Sequence, residues 1–467
     1  MQPFHMIING QPVKASQTMP IINPATEQVI AHCPRADRDI LNAAVAAAKA
    51  AFPAWSALPI EQRREKLLAC AAATAAHATE LAQLLTAEQG KPLVHAQGEV
   101  EGSVYMMQAM ASLDMADKVV AEDAGGKFIE HRSPLGVVVA IMPWNFPISL
   151  ITVKSIPALL AGNTLVAKPA PTTPLATLRL VEIFNQHLPP GVFNIIVDNN
   201  DLGSELTSHP DVAKVSFTGS TVTGKKVMAS AAGSLKRVTL ELGGNDPAIV
   251  LDDVDAKTVA KQLFDGAMIN SGQVCLAIKR AYVPDSKYEA VCSELAKLAD
   301  AAIVGDGTKP DTQFGPIQNA KQYERVQGLI DSAGREGKII AGGTKVPGPG
   351  FFVRPTIVRD VKDDARIVRE EQFGPILPVL RYSDLDDAIA RANDTDYGLG
   401  ATVWSTNPKR AADVAMKIKS GVVWVNSHMN ITPMIAMGGA KQSGMGLELG
   451  QEGLSEMTQR HLIYAAN

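Results

Sequence analysis

Apolar and polar positions in the middle of the chain alternate between short runs of β-branched residues and longer helical stretches. The predicted strands are 137–141, 164–167, 193–197 and 214–217. The predicted helices are 150–161, 174–187 and 221–231. A repeated order of strand, helix and strand predicts a parallel sheet with crossover helices, in which ligands bind at the carboxyl ends of the strands.

Further patterns flank this series. The stretches 39–52 and 61–87 are rich in Ala, Leu, Glu and Arg and predict two or three opening helices. Residues 118–132 predict a hairpin around Gly125–Gly126, and 456–465 predict a terminal strand; another subunit would cover such protruding strands. A second α/β domain is predicted by strand patterns at 247–251, 279–283, 350–358, 376–380, 400–404 and 422–426.

Composition narrows the class of protein. With 467 residues, 46% of them hydrophobic, the chain predicts two or three well-packed domains. The net charge of −4 favours neither nucleic acid nor an anionic membrane, so a small-molecule partner is expected. No apolar stretch reaches the ~18 residues of a membrane span, and residues 1–6 lack the pattern of a signal peptide. A cytoplasmic protein is therefore expected.

A thiol and an acid are the strongest chemical signal. Cys275 ends the segment Ser-Gly-Gln-Val-Cys, and Glu241 lies upstream in Leu-Glu-Leu-Gly-Gly, where the glycines would let the acid reposition. A cysteine attacks as thiolate, and a carboxylate that activates water could then release the acyl group. Alternatively, Glu241 merely ends a strand. The other cysteines, at 33, 70 and 292, are expected to be structural, and neither cysteine nor histidine spacing predicts a metal site.

Three further segments could hold a ligand. Asn145 lies between Pro143 and Pro147, which would fix its amide for an oxyanion, although a loop-closing Asx turn fits as well. Gly219 and Ser220 stand between a strand and a helix that contains Gly224, a turn that either binds phosphate or only reverses the chain. Lys168 and Glu371 either contact ribose and phosphate or are exposed charges.

Together these segments closely resemble the NAD(P)-dependent aldehyde dehydrogenase superfamily over nearly the whole chain. They occur in the family's order as Pro-Trp-Asn-Phe-Pro (143–147), Lys-Pro (168–169), Phe-Thr-Gly-Ser (217–220), Glu-Leu-Gly-Gly (241–244), Gly-Gln-Val-Cys (272–275), Glu-Gln-Phe-Gly-Pro (371–375) and Lys-Gln-Ser-Gly (441–444). The resemblance implies Cys275 as nucleophile, Asn145 as oxyanion donor with the Cys275 N–H, and Glu241 as general base. It also implies a proton relay through Lys154 and Glu448.

The resemblance implies NAD as cofactor, without excluding NADP. Lys168 and Glu371 would bind ribose, Ser220 the pyrophosphate, and Phe373 the nicotinamide side. Pro171 stands where many NAD-preferring members have a glutamate, which leaves the choice open. The expected cofactor-binding residues are Trp144, Lys168, Gly219, Ser220, Gly224, Leu242, Glu371 and Phe373.

The expected reaction is oxidation of an aldehyde to its carboxylate, through a thiohemiacetal and a thioester on Cys275. Val153 and Ile431 replace residues that are often aromatic in the family's substrate tunnel, and no arginine stands beside Val153, Val274 or Leu276. A small or medium uncharged aldehyde is thus favoured, with a semialdehyde still possible. The alternatives are a coenzyme A-acylating semialdehyde dehydrogenase, a thioester or ester hydrolase, and a non-catalytic cofactor-binding protein.

The fold expected from the resemblance is α/β, with a Rossmann-like cofactor domain, a second α/β catalytic domain and a small β oligomerisation element. We assign residues 1–117 and 135–243 to the dinucleotide-binding domain, 244–447 to the catalytic domain, and 118–134 with 448–467 to the oligomerisation element. By the same analogy, a homodimer or homotetramer is expected.

Overall fold

The structure is a computed structural model that describes residues 3–467. Residues 1 and 2 lie outside the described residues. They begin the predicted dinucleotide-binding domain and the segment 1–6, which was predicted not to be a signal peptide. The strands are β1 (Met6–Ile8), β2 (Gln11–Val13), β3 (Gln17–Ile22), β4 (Val29–Arg35), β5 (Lys118–Asp123), β6 (Gly126–Pro134), β7 (Val137–Ile141), β8 (Thr164–Lys168), β9 (Phe193–Ile195), β10 (Val212–Thr218), β11 (Arg237–Glu241), β12 (Asp246–Val250), β13 (Ile278–Pro284), β14 (Lys338–Ala341), β15 (Thr356–Arg359), β16 (Ile376–Tyr382), β17 (Tyr397–Gly398), β18 (Gly400–Trp404), β19 (Val422–Val425), β20 (Ala440–Lys441), β21 (Gly444–Met445) and β22 (Thr458–Ala466).

The helices follow the same chain order. They are α1 (Arg38–Ser56), α2 (Ile60–Ala76), α3 (Ala78–Gln89), α4 (Leu93–Ala111), α5 (Pro147–Leu160), α6 (Leu175–Asn185), α7 (Gly203–Ser208), α8 (Thr221–Ala232), α9 (Ala256–Met268), a 3₁₀ turn (Ile269–Gly272), α10 (Asp285–Ala301), α11 (Ala320–Glu336), α12 (Arg366–Arg369), α13 (Leu385–Asn393), α14 (Pro408–Ala415) and α15 (Gly450–Glu456). Several begin at side-chain caps of the expected type: the carboxylate of Asp37 accepts the N–H of Ile40, and Ser220 caps α8.

The first sheet has the order β2-β1-β9-β8-β7-β10-β11-β21 within the described chain. The strands from β9 to β11 run parallel, and every residue of β7 and β8 is buried, as their continuous apolar runs predict. Because the strands are in register, Ile141 pairs with Lys168 and Thr218 with Glu241. The loops that follow these strands therefore open at one edge of the sheet.

The second sheet has the order β14-β15-β16-β13-β12-β18-β19 and is parallel except for the edge strand β14. A third sheet joins the predicted hairpin to the terminal strand in the order β22-β6-β5. The α/β class and the predicted parallel sheet with crossover helices are thus confirmed. β21 crosses back to pair with β11, which places residues 444–445 in the first sheet.

One predicted strand is wrong over most of its length. Only Thr356–Arg359 of the stretch 350–358 forms a strand, β15. The preceding residues use their hydrogen bonds elsewhere: the N–H of Phe351 donates to the carbonyl of Pro24 (2.9 Å), and that of Gly350 to Glu27 Oε1 (2.8 Å). An apolar run that docks on a distant turn has the same local pattern as a strand.

Two features are absent from residues 3–467. These residues contain no helix long and apolar enough to cross a membrane. They also contain no cluster of three or more His, Cys, Asp or Glu side chains placed to hold a metal ion.

Candidate active site

A cavity of about 170 Å³ lies where the strand-end loops of the first sheet meet the loops of the second. Eight of the predicted site residues line it: Trp144, Asn145, Gly219, Ser220, Leu242, Cys275, Glu371 and Phe373. The remaining lining residues are Pro143, Thr218, Gly243, Gln322 and Arg325. Five predicted residues lie outside the lining: Lys154, Lys168, Gly224, Glu241 and Glu448.

Cys275 stands between the 3₁₀ turn and β13, at the junction of the two α/β units. Burial raises the pKa of its thiol to about 12, the ammonium of Lys279 lowers it, and the carboxyl of Glu241 raises it. The thiol is therefore protonated at neutral pH in the ligand-free protein. The other three cysteines are buried free thiols within helices or a strand.

Asn145 lies in the loop between β7 and α5, with its side chain almost completely buried. Its Nδ2 group donates to the carbonyl of Gln273 at 2.9 Å, which ties the amide to the segment that carries Cys275. An amide nitrogen has two N–H groups, so the second remains for a ligand. Because α5 begins at Pro147, the chain on both sides of the loop is held in place.

A buried ion pair that sequence reasoning missed supports this loop. Lys91 Nζ contacts Glu99 at 2.5 Å and donates to the backbone carbonyl of Asn145 at 2.9 Å. Glu99 in turn accepts the N–H groups of Ile148 and Ser149 at the start of α5, at 2.9 and 3.2 Å. In the sequence, the only sign of this pair was a lysine just before α4 and a glutamate within it. Their partners in the 145–149 segment lie about 50 residues further along the chain, so no local pattern could reveal the contact.

Glu241 is the last residue of β11, and its Oε1 atom is buried without a hydrogen-bond partner among residues 3–467. Burial and the carboxylate of Glu448 raise the pKa of Glu241 well above its usual value, while Lys154 opposes the shift. Lys154 Nζ contacts Glu448 Oε1 at 2.6 Å, and Ser216 bridges the two, donating to Glu448 at 3.2 Å. Lys154, Ser216 and Glu448 thus form a buried, hydrogen-bonded group whose charges act on Glu241.

The glycines after Glu241 serve close packing in this structure. A Cβ atom at Gly243 would stand 2.5 Å from Glu371 Oε2, and one at Gly244 would stand 2.5 Å from the carbonyl oxygen of Cys275. A side chain at Gly244 would therefore push the backbone of Cys275 away, whereas one at Gly243 would displace the Glu371 carboxylate.

The turn between β10 and α8 brings Gly219 and Ser220 to the cavity at the start of a helix. Gly219 donates its N–H to the carbonyl of Glu241 at 3.0 Å, and the Ser220 hydroxyl caps α8 by accepting the N–H of Thr223 at 3.3 Å. Gly224 has a packing role, since a Cβ there would meet a Leu242 methyl group at 2.4 Å. This contact holds α8 close to the cavity wall.

Lys168 ends β8 and is almost fully buried, so the alternative of an exposed lysine is wrong. Its ammonium lies 2.6 Å from Asp198 Oδ1 and 3.0 Å from Asn200 Oδ1. Asp198 also accepts the N–H of Leu202 at 2.8 Å. The cation at this strand end is therefore already neutralised by a buried carboxylate from the loop after β9.

The 371–373 loop forms the opposite wall. Glu371 accepts the N–H of Gly244 at 3.0 Å, and burial raises the pKa of its carboxyl. Phe373 has a left-handed backbone (φ 48°), and its ring meets Trp144 edge-on at a centroid distance of 5.2 Å. Helix α11, which sequence reasoning did not identify, holds this loop: Arg325 donates to the carbonyl of Glu371 at 2.9 Å.

Cys275 also packs against an apolar cluster. The members are Phe146, Val274, Leu276, Ala277, Leu399, Val422, Trp424, Met429, Ile431 and Met437. Ile431, one of the predicted tunnel residues, is thus a neighbour in the cluster that contains Cys275. Val153, the other predicted tunnel residue, is buried in the neighbouring core of the first sheet.

The residues around the cavity fit a nicotinamide dinucleotide. The start of α8 offers N–H groups for a phosphate, Glu371 offers a carboxylate for ribose hydroxyls, and Trp144 with Phe373 offers aromatic surface for a ring. Thiol, amide and a buried acid adjoin the same space. Together the parallel sheet and this site define a dinucleotide-dependent oxidoreductase that works through a cysteine.

Comparisons with known proteins identify the family. A sequence model described as "Aldehyde dehydrogenase family" matches residues 12–463. A Pseudomonas protein named "Probable aldehyde dehydrogenase" is 41% identical over 461 residues, which cover 98% of this chain and 94% of the relative. The NAD⁺ complex of a Bacillus cereus aldehyde dehydrogenase superposes with a TM-score of 0.97 at 37% identity, covering 100% of this chain and 97% of that one.

A second solved structure, described as an E. coli NADP dependent enzyme, has a TM-score of 0.97 at 34% identity and covers 100% of this chain and 98% of that one. The chain therefore belongs to the aldehyde dehydrogenase family, whose members oxidise aldehydes to acids. The predicted family, fold, reaction and NAD(P) dependence are confirmed.

Proposed function

We propose that Cys275 is the nucleophile of this aldehyde dehydrogenase, that Asn145 stabilises the oxyanion and that Glu241 is the general base. The proposal depends on two groups that lie near Cys275. The Asn145 amide donates to the carbonyl of Gln273, two residues before Cys275, at 2.9 Å. The Glu241 carboxyl is close enough to raise the pKa of the Cys275 thiol. These three groups come from separate segments of the chain.

In the first half of the reaction, the Cys275 thiol releases its proton to solvent, and the sulfur adds as a thiolate to the aldehyde carbon. The resulting oxyanion accepts hydrogen bonds from Asn145 Nδ2 and the Cys275 backbone N–H. The nicotinamide, when bound, supplies the acceptor for the hydride, and a thioester to Cys275 remains. Trp144 and Phe373 orient the ring side of the cavity, and Glu371 and Ser220 hold the ribose and pyrophosphate.

In the second half, Glu241 takes a proton from a water molecule, whose oxygen attacks the thioester carbon; the C–S bond breaks and releases the acid and the Cys275 thiolate. A carboxyl with a raised pKa is a stronger base once it is ionised, which suits this step. Glu448 then accepts the proton from Glu241 and passes it on, while Lys154 stabilises the charge at a distance of 2.6 Å.

The test uses two variants. Cys275→Ala should lose aldehyde oxidation completely while retaining dinucleotide binding, measured by quenching of tryptophan fluorescence. Glu241→Gln should retain a burst of reduced cofactor about equal to the enzyme concentration, followed by turnover slowed ~10²- to 10⁴-fold. Either variant turning over at the wild-type rate with saturating cofactor would refute the assigned role.

We propose an uncharged, largely apolar aldehyde of small or medium size as substrate. Cys275 packs against a cluster of aliphatic side chains, methionines, Phe146 and Trp424, which we take as the substrate side, and none of these side chains offers a partner to a charged tail. A carboxylate buried there without a partner would be strongly disfavoured. A panel of alkanals and ω-carboxylated semialdehydes of equal length should show higher kcat/KM for the alkanals.

We propose NAD as the preferred cofactor. The NAD-selective glutamate of many relatives is absent at Pro171, but Asp198 supplies a buried carboxylate 2.6 Å from the ammonium of Lys168. A ribose 2′-phosphate at this strand end would meet a lysine that is already paired with Asp198, and the Asp198 carboxylate would repel it. Steady-state kinetics with each dinucleotide should show a higher kcat/KM for NAD.

We propose that the β5–β6 hairpin and β22 form an oligomerisation element in a homodimer or homotetramer. Their sheet exposes large apolar side chains, among them Val119 (55% exposed), Leu462 (54%) and Tyr464 (51%). In a monomer these side chains would face solvent, and a second subunit would cover them. Mass measurement in solution tests the subunit count, and Leu462→Asp with Tyr464→Asp should dissociate the assembly.

We keep the proposed division into a dinucleotide-binding domain (1–117 and 135–243), a catalytic domain (from 244) and the oligomerisation element. Its terminal part is drawn at 458 instead of 448, because Leu449, Leu454 and Met457 pack in the core of the first sheet. The four free thiols suit a reducing compartment, so we also propose a cytoplasmic location.

A further inference from the structure

Lys279 is a buried cation that the roles assigned above leave without a function. It lies on β13, four residues after Cys275, and is 2% exposed. Its ammonium donates to three backbone carbonyls, those of Val274 (2.8 Å), Cys275 (2.8 Å) and Ala277 (3.3 Å). The nearest carboxylate oxygen among the ion pairs of the described residues, Glu371 Oε1, is 4.0 Å away.

Burying an ammonium is costly, and an apolar side chain of the same volume would fill this position more cheaply. The expected compensation is a close carboxylate, as Lys154 has in Glu448 at 2.6 Å. Lys279 instead donates its three N–H groups to backbone carbonyls of the segment that carries the nucleophile. The chain therefore keeps a buried ammonium against the Cys275 carbonyl, without the close carboxylate contact that Lys154 has.

The charged groups that face the Cys275 sulfur come from several elements. Lys279 is the cation, and the carboxyls are those of Glu241 at the end of β11, Asp246 at the start of β12, and Glu371 in the opposite loop. His428 also faces Lys279, but burial lowers the pKa of its imidazole to about 4, so that it is neutral at physiological pH. Three carboxyl groups thus raise the pKa of the Cys275 thiol, and one ammonium group lowers it.

We propose that Lys279 is a positioning residue for the nucleophile: it fixes the Val274–Ala277 segment through the three carbonyls and supplies the positive charge that favours the Cys275 thiolate. This inference rests on the proposed role of Cys275. The same ammonium lies between Cys275 and Glu371, so it also connects the thiol with the wall that holds the cofactor ribose.

The experiment measures alkylation of Cys275 by iodoacetamide in the ligand-free enzyme at pH 8, with the modified residue quantified by mass spectrometry. Well below the thiol pKa, the rate follows the thiolate fraction, so a shift of one pKa unit changes it about tenfold. Lys279→Gln keeps an N–H donor but removes the charge and should slow alkylation about tenfold. Glu371→Gln removes a repelling carboxylate and should accelerate it.

The double variant separates charge from packing. If charge is the cause, Lys279→Gln combined with Glu371→Gln should return the rate towards the wild-type value. Lys236→Gln is the matched control, because Lys236 also caps two carbonyls, of His209 (2.7 Å) and Val212 (2.8 Å), remote from the site. Its alkylation rate should be unchanged.

An unchanged rate in Lys279→Gln, or a double variant as slow as Lys279→Gln alone, would overturn the proposal. The rate is read on the Cys275 peptide and does not depend on aldehyde oxidation. A failure of Cys275 as catalytic nucleophile, seen as activity in Cys275→Ala, would therefore be distinguishable from a failure of Lys279.

Discussion

The two sets of neighbours of Cys275 differ in what they are made of. One set, the charged side, consists of buried ionisable groups that act on the thiol: Glu241, Glu371, Lys279 and Asp246. The other, the apolar side, is a cluster of aliphatic and aromatic side chains against which Cys275 packs. Buried charges destabilise a fold unless they are well compensated, whereas apolar side chains stabilise it. The comparison teaches that the buried charges fit the chemistry proposed for Cys275, and that the apolar cluster fits the substrate side proposed above.

The largest effect is expected on the charged side, from Asn145→Ala. Loss of an oxyanion donor should lower kcat ~10²- to 10³-fold, with little change in cofactor affinity. Stopped-flow measurement of the burst should show that the acylation step is slowed. Asn185→Ala is the control, since Asn185 donates to two carbonyls at 2.8 and 3.0 Å but lies away from the cavity; an equal loss there would mean that Asn145 is only structural.

The apolar side should respond through substrate choice. Ile431→Arg places a cation near Cys275, so kcat/KM for an alkanal should fall about 10- to 100-fold, and that for a semialdehyde of equal length should rise. Ile431→Leu keeps the apolar surface and should preserve the wild-type preference. If Ile431→Arg leaves the ratio of the two substrates unchanged, the apolar cluster does not form the substrate side.

A smaller effect is expected at the edge of the charged side, where Asp198 neutralises Lys168. Asp198→Asn frees the ammonium for a 2′-phosphate, and the ratio of kcat/KM with NADP to that with NAD should rise about tenfold, the worth of one charge-assisted contact. Asp201→Asn is the control, because Asp201 pairs with Arg35 on the surface. Equal ratios in both variants would exclude Asp198 as a determinant of cofactor choice.

The smallest expected effect is a shift in the pH dependence. Glu241 acts as a base only when ionised, so turnover should rise as the pH increases through its raised pKa. Glu448→Gln removes a repelling carboxylate and should move this limb to lower pH. Lys154→Met removes an attracting ammonium and should move it to higher pH. Profiles of kcat that shift in the same direction would contradict an electrostatic link to Glu241.

Much of the fold was predictable because it depends on local pattern. The buried runs that became β7, β8 and β10 alternate with helices over short distances, so propensity and hydrophobicity agree. The stretch 350–355 failed because its hydrogen-bond partners, Pro24 and Glu27, are more than 300 residues away. Local reasoning cannot identify a segment that docks on so distant a turn.

The sequence alone determined the family, the alternation of parallel strands with helices and the residue types that could do the chemistry, because motifs and periodicity are local properties of the chain. Only the tertiary structure decided that Lys168 is neutralised by Asp198, that Lys91 and Glu99 hold the Asn145 loop, and that Lys279 lies against the nucleophile's carbonyl. Burial and the pairing of charges depend on neighbours that only folding brings together, and these neighbours set the pKa values on which the proposed catalysis depends.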